Sequence, residues 1–290
     1  MLYEIISKLV SESLLSLYPI FVKLTNLPIS IQLWSRFFTY ILISLFFVNI
    51  SFIYKNIFTK NAVLLSIVTI VHVYASYRGF QLLDSGVAYV IFYIYPLFIL
   101  LLSGQSIHPI MILTLIGVYL VSMKDTYTDT NKKPEIKETN GIKETYEYEG
   151  ILMILIASIT EALVYFVVRR IKTNNNWNHL FISYFFGAIL LSIYYNKSIL
   201  LTINEYKEGT LLNNKVIISL ALNIIIGVFG YVLRFYAISR LPPNIYAPLS
   251  YFGVLMAYIY GIFLNNDVIT INKILGSIMI IIPNFFINYQ

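Results

Sequence analysis

Residues 11–21 read SESLLSLYPIF, and residues 159–170 read ITEALVYFVVRR. Each stretch sets one glutamate, Glu12 or Glu161, inside an apolar run long enough to cross a bilayer. An ionised side chain at bilayer depth costs at least about 2.5–3.5 kcal/mol, so each acid needs a partner or a task. Its recurrence in the two halves of the chain raises a second question, whether those halves are copies of one unit.

Composition gives the setting. The 290 residues are 58% hydrophobic and only 12% charged, with a mean hydropathy of +0.76. A soluble domain carries roughly 25% charged residues; with half of that, most of the surface must face lipid. The net charge of +6 does not point to nucleic acid. Residues 124–149 hold five Lys against seven Asp/Glu, and the other basic residues are scattered singly between apolar runs, with no stripe to follow a phosphate backbone. The absence of cysteine excludes disulfide and thiolate chemistry. The N-terminal MLYEIISKLV lacks a basic n-region and a small-residue cleavage site, so it is not read as a removable signal peptide.

A membrane-crossing helix takes about 20 mostly apolar residues. Ten runs are candidates, at 3–22, 31–50, 62–80, 85–103, 108–123, 150–170, 179–195, 216–238, 243–264 and 273–289. Loops between them are short except at 124–149 and 197–214. The former, KDTYTDTNKKPEIKETNGIKETYEYE, is polar and aperiodic and reads as a flexible linker. The expected organisation is therefore a first five-helix repeat at 1–123, a linker at 124–149 and a second five-helix repeat at 150–290.

The halves match at a nearly constant offset. Glu12 falls on Glu161, Ser35-Arg36-Phe37-Phe38 on Ser183-Tyr184-Phe185-Phe186, Tyr93 on Tyr251, and Gly117 on Gly276. A repeat of five crossings enters the membrane upside down in its second copy, and inverted repeats place a substrate site near the midplane between the copies. The glycines are expected to let helices approach closely.

Ten spans in two five-span repeats resemble the drug/metabolite transporter superfamily, most closely its EamA-like branch. Arg36 early in the second span, GFQLLDSGVAYVIFYIYPLFILLL from Gly79, and YAISRLPPNIYAPLSYFGVLMAYIYGIFLNND from Tyr236 carry the resemblance. His108 stands near where the first copy usually has an acid, and Val254 replaces the second copy's proline. The resemblance implies an all-α membrane protein of ten helices with both termini cytoplasmic, and small organic solutes as cargo. Charge bias does not settle orientation, since six basic residues in the short inner loops face five in the short outer ones.

Against that frame the candidate substrate-binding residues are Glu12, Ser16, Tyr89, Tyr93, Glu161, Tyr165, Arg234 and Tyr251. The two glutamates are placed to converge between the repeats, where they could bind a substrate ammonium or exchange a proton. Ser16 and Tyr165 follow them by one turn on the same helix faces. Arg234, deep in its span, suits a carboxylate or phosphate. Tyr89, Tyr93 and Pro96 share one face, and Tyr251 and Tyr258 repeat the theme as an aromatic wall. The competing structural reading pairs Glu12 with Lys8 and Glu161 with Arg169. Arg36 is expected to snorkel to the interface, Arg78 to pair with Asp84, and His72 to be a packing or hydrogen-bonded residue.

No HExxH, G-x-S-x-G, Walker loop or GxGxxG is present, so the chain reads as no enzyme and needs no cofactor. The expectation is a multi-pass secondary transporter with a small-molecule substrate, the lipid bilayer as its setting, and protons as a candidate coupling ion. An amino acid or amine is the favoured cargo. A nucleotide-sugar or organic-phosphate exchanger and a non-transporting membrane scaffold are the alternatives.

Overall fold

Apolar runs in lipid leave backbone N–H and C=O groups nothing to bond but each other, and helices satisfy them within one segment. The computed structural model describes residues 1–25, 27–83, 85–105, 109–122, 140–207, 214–265 and 270–287, and these hold helices joined by turns, with no strand among them. In order the helices are α1 (Leu2–Leu15), α2 (Tyr18–Leu24), α3 (Ile29–Leu45), α4 (Ile50–Asn56) and α5 (Lys60–Leu82). They continue with α6 (Ser85–Phe92), α7 (Tyr95–Leu102), α8 (Ile110–Ser122), α9 (Asn140–Arg170) and α10 (Asn176–Tyr194). The last five are α11 (Asn196–Lys207), α12 (Asn214–Arg240), α13 (Pro243–Ser250), α14 (Phe252–Asn265) and α15 (Ile271–Ile287).

Among the described residues, six stretches are long and apolar enough to cross a membrane: Leu2–Val22, Lys60–Leu82, Glu147–Arg170, Asn176–Tyr194, Val216–Arg240 and Pro243–Phe263. Four shorter apolar helices, Ile29–Leu45, Ala88–Leu102, Met111–Val121 and Ile271–Ile282, lie on the remaining runs read from the sequence. Large apolar side chains such as Leu42, Ile225, Phe229, Phe263 and Ile274 stand exposed on the outside, an arrangement suited to lipid and costly in water.

Three expectations change at the ends of the runs. The second run stops at Leu45, and Asn49 opens the separate α4 by accepting from the Phe52 N–H at 3.0 Å. Residues 140–149, read as linker, form the first turns of α9, while 124–139 lie outside the described residues. The expected loop at 197–214 carries α11 instead. Its Ile199 is buried with Leu27 and Ile31 of the α3 end, so an amphipathic face supplies what a bare polar loop lacks.

Three of the apolar segments are broken in the same way. At the α1–α2, α6–α7 and α13–α14 junctions the ladder tightens from four-residue to three-residue bonds. Leu17 N donates to Leu14 O, Ile94 N to Ile91 O and Tyr251 N to Pro248 O, at 3.2, 3.3 and 3.1 Å. A matching bond restarts each helix, from Ile20 to Leu17, Leu97 to Ile94 and Val254 to Tyr251. Pro19 and Pro96 follow the first two pivots by two residues and remove an N–H there. Gly253 holds that place after the third.

The main contacts between the long helices are preserved when the halves are exchanged. With α1–α2 set against α9, α3 against α10, α5 against α12, α6–α7 against α13–α14 and α8 against α15, the α1·α12 contact becomes α5·α9. The α3·α10, α7·α13 and α8·α15 contacts map onto themselves. At the α8·α15 crossing, a side-chain carbon on Gly117 would lie 2.7 Å from the Gly276 carbonyl oxygen, and one on Gly276 equally close to that of Gly117. Either Gly117→Val or Gly276→Val should therefore cost about 1–3 kcal/mol by overpacking. A fall in the detergent melting temperature would register this, and an unchanged value would refute the close approach.

Candidate functional site

Four charged side chains meet inside the bundle. Lys8 and Glu12 come from α1, Glu161 from α9 and Arg234 from α12, and they are 0, 1, 2 and 3% exposed. Lys8 and Glu12 lie one turn apart, so a local pair forms, Nζ to Oε1 at 2.5 Å. Arg234 then forks. Its Nη2 donates to Glu12 Oε1 at 2.8 Å and its Nη1 to Glu161 Oε1 at 2.5 Å. One planar guanidinium thus ties together the acids of the two halves. Two bases and two acids balance in formal charge, which is what makes their joint burial tolerable, because an unpaired buried ion costs several kcal/mol.

Other groups close in around them. The Lys8 ammonium sits 3.6 Å above the Tyr246 ring, and the Tyr95 hydroxyl donates to Glu12 Oε1 at 3.4 Å. His72 on α5 sets Nδ1 3.0 Å from the Ala157 carbonyl oxygen and Nε2 3.2 Å from Glu161 Oε2. Glu12 Oε2, Arg234 Nε and the hydroxyls of Tyr246 and Tyr251 are buried without a hydrogen-bond partner. Beside the cluster lies a cavity of about 40 Å³ whose wall includes Tyr18, His72, Ser76, Tyr89, Tyr93, Tyr231 and Arg234. It is polar enough and large enough to hold water. A larger polar cavity of about 610 Å³ lies at the C-terminal ends of α9 and α12, lined in part by Arg169, Lys172, Asn175, Asn178 and Arg240.

The broken segments deliver the tyrosines. Tyr93 and Tyr251 occupy two of the three breaks, and their ring centroids are 6.3 Å apart. Tyr89 stacks on Tyr93 at 5.8 Å. Its hydroxyl donates to the Ser16 carbonyl oxygen at 2.8 Å, an oxygen released because Ile20 N bonds to Leu17 instead. Gly253 keeps the third break open: a side-chain carbon there would collide with the Tyr93 hydroxyl and come within 2.9 Å of Glu12 Oε2.

Of the residues singled out in the sequence, Glu12, Glu161, Arg234, Tyr89, Tyr93 and Tyr251 come together. Ser16 and Tyr165 are turned to local tasks. The Ser16 hydroxyl donates to the Ser13 carbonyl at 2.7 Å, and the Tyr165 hydroxyl to that of Leu241 at 3.0 Å. Arg169 is not the partner of Glu161. It donates to the carbonyls of Ile238 and Leu241 at 2.9 and 2.6 Å, holding the C-terminus of α12. Arg78 forks onto Glu149, with Nε to Oε1 at 2.8 Å; Asp84, its expected partner, lies outside the described residues, as does His108.

Arg36 does not snorkel. It is 3% exposed and surrounded by the rings of Tyr18, Tyr40, Tyr77, Tyr184 and Tyr231, with its Cζ 4.6–5.8 Å from their centroids. Nε and Nη2 both donate to the Tyr184 hydroxyl, at 3.3 and 2.8 Å. Lys8, His72 and Arg36 are thus the additions that folding makes to the site. The signal for Lys8 was local spacing; for Arg36 it was five rings that only the tertiary structure assembles.

Residues 148–289 match the family model of the EamA-like transporter family. This segment belongs to that family. Through it the chain is placed in the drug/metabolite transporter superfamily, as a membrane transporter of that type, and as a multi-pass integral membrane protein. No curated protein matches the chain at a significant level. A solved crystal structure superposes with a TM-score of 0.69 at 12% identity, covering 98% of this chain and 98% of its own; at that identity the likeness is one of fold.

Two outcomes test the geometry. Arg234→Gln leaves two buried carboxylates short of a cation and should cost about 3–5 kcal/mol, partly recovered in Glu161→Gln/Arg234→Gln, as read by thermal unfolding of the purified protein. Gly253→Ala should lower the melting temperature, and Tyr93→Phe in the same chain should restore most of the loss by removing the colliding hydroxyl.

Proposed function

We propose that this EamA-like transporter is a secondary carrier of small zwitterionic metabolites, of amino-acid type, working by alternating access around the Glu12–Arg234–Glu161 cluster. Its ten apolar segments would form two inverted five-span repeats, 1–123 and 150–290, on either side of a connecting segment. The exchange symmetry of the helix contacts and the paired breaks at Tyr93 and Tyr251 support the duplication. Interrupted helices at corresponding positions of two repeats are also where carriers of this architecture bind their cargo.

The bridging of two acids by one arginine carries the reading of the cargo. A zwitterion can replace that internal bridge charge for charge: its ammonium takes a glutamate while its carboxylate takes the released guanidinium. The cluster stays neutral through the exchange, whereas a lone cation or anion would leave a buried charge uncompensated. The tyrosine wall of Tyr89, Tyr93 and Tyr251 would then meet the body of the solute.

Protons suit the coupling role because of His72. Its Nδ1 faces a carbonyl oxygen, so that nitrogen carries hydrogen in the neutral ring and leaves Nε2 bare toward Glu161 Oε2. One added proton turns this repulsive contact into an attractive one. Arg234, Lys8 and Glu12 set the charge around that proton, with Tyr95 and Tyr246 beside them.

The same ion pairs also fit a brace, and the Lys8–Glu12 pair is what the non-transporting alternative expects. Proteoliposomes under an imposed pH gradient separate the two. Uptake of an amino acid is expected, at least tenfold lower and insensitive to pH in Glu161→Gln. Flux with unchanged pH dependence in both Glu12→Gln and Glu161→Gln would sink the role given to the acids. Uptake of a nucleotide sugar or organic phosphate alone would favour the exchanger, and no flux from a folded protein across the panel would favour the brace.

A further inference from the structure

Two buried arginines face the same ring. Tyr231 lies 5.5 Å from Arg234 Cζ and 5.0 Å from Arg36 Cζ, yet their electrostatic situations differ. Arg234 has two carboxylates. Arg36 has none within ion-pair distance among the described residues. With Lys8, Glu12, Glu161 and Arg234 balanced in formal charge, Arg36 stands apart as a buried guanidinium that no described carboxylate pairs.

Aromatic faces ease a cation's burial, but they do not neutralise it, and phenylalanine would provide such faces too. Every ring around Arg36 bears a hydroxyl. Those of Tyr18 and Tyr40 are buried and have no hydrogen-bond partner, although a buried hydroxyl ordinarily finds one. Arg36 spends two N–H groups of a five-donor guanidinium on a single acceptor, the Tyr184 hydroxyl. Tyr18 and Tyr231 of this cage also wall the neighbouring cavity of about 40 Å³. Buried tyrosine hydroxyls without a partner, a buried guanidinium with no carboxylate within ion-pair distance among the described residues and adjoining space are together the complement of a small acceptor with one negative charge.

We propose that the Arg36 cage is a binding site for one small monovalent anion, seated at the cavity wall shared by Tyr18 and Tyr231. The chemistry is that of a carboxylate or a halide, and two sources can supply it: the carboxylate of the transported solute, or an inorganic ion bound alongside it. The use of the site in transport rests on the carrier function proposed above, whereas binding itself does not.

The purified protein in a gluconate buffer would be titrated with sodium chloride, sodium acetate and sodium sulfate, following the melting temperature. The expected result is a saturable rise with chloride or acetate, since a ligand that binds only the folded state stabilises it by mass action, and no such rise with sulfate. Acetate without chloride assigns the site to the solute's carboxylate; chloride without acetate assigns it to a co-bound inorganic ion. Arg36→Gln should abolish the response. Because that variant tests folding as well, Tyr18→Phe, which keeps the cage walls, should fold and bind several-fold more weakly. The proposal is overturned if the folded wild type gives no saturable response to either monovalent anion, if Tyr18→Phe and Arg36→Gln both respond as wild type, or if sulfate alone binds. Saturable binding in a protein that moves no solute in proteoliposomes would overturn the carrier reading and leave the site standing.

Discussion

A charge buried away from water must find its opposite within the protein, and this bundle is arranged around that demand. Arg234 answers it for two acids at once, drawing α1 and α9 onto α12 through one guanidinium. Lys8 brings the sum to zero from within α1. Because the balance is shared, no member can leave alone without stranding another, so a change at any one of the four reaches three different helices. This makes the cluster a brace as it stands and gives it the means to act as a switch when a solute offers substitute charges.

The breaks serve the same centre in a different way. An unbroken helix spends its backbone groups on itself; each break frees polar groups at depth, and they are used. The Ser16 carbonyl, released at the first break, takes the Tyr89 hydroxyl, tying the α1–α2 segment to α6. The second and third breaks set the Tyr93 and Tyr251 rings 6.3 Å apart, with Gly253 beside both the Tyr93 hydroxyl and the Glu12 carboxylate. Gly253 stands where Pro19 and Pro96 stand after their pivots, and Pro248 lies inside α13 three residues before the third, so each break has a proline, and with it a missing N–H, within three residues of its pivot.

Most of the helical framework was legible in the sequence, because the length of an apolar run is fixed by the thickness of the bilayer rather than by tertiary context. The acids were legible for a related reason: their placement is too costly to be incidental. Partners followed only where they were local. Lys8 lies four residues from Glu12, and helix geometry alone joins them. Arg169 lies two turns beyond Glu161 and found carbonyls nearer to hand at the end of α12. The bridge from Arg234 crosses between helices far apart in the chain, and the cage around Arg36 draws its rings from α2, α3, α5, α10 and α12. No periodicity records such meetings. The start of α9 leaves no trace in the sequence for the opposite reason, since its first ten residues are mostly polar and carry no apolar stripe to betray a helix.

That polar beginning gives α9 an unusual length. Its 31 residues span about 46 Å at 1.5 Å per residue, against about 30 Å for the hydrocarbon of a bilayer. The rod that carries Glu161 therefore extends well past the lipid at its Asn140 end, beyond the point where Glu149 meets Arg78. A stiff rod anchored at its middle works as a pointer: a tilt too small to see at the buried glutamate is magnified at the outer tip. A spectroscopic label placed there would read out, from the water, the posture of the helix that holds one of the two central acids.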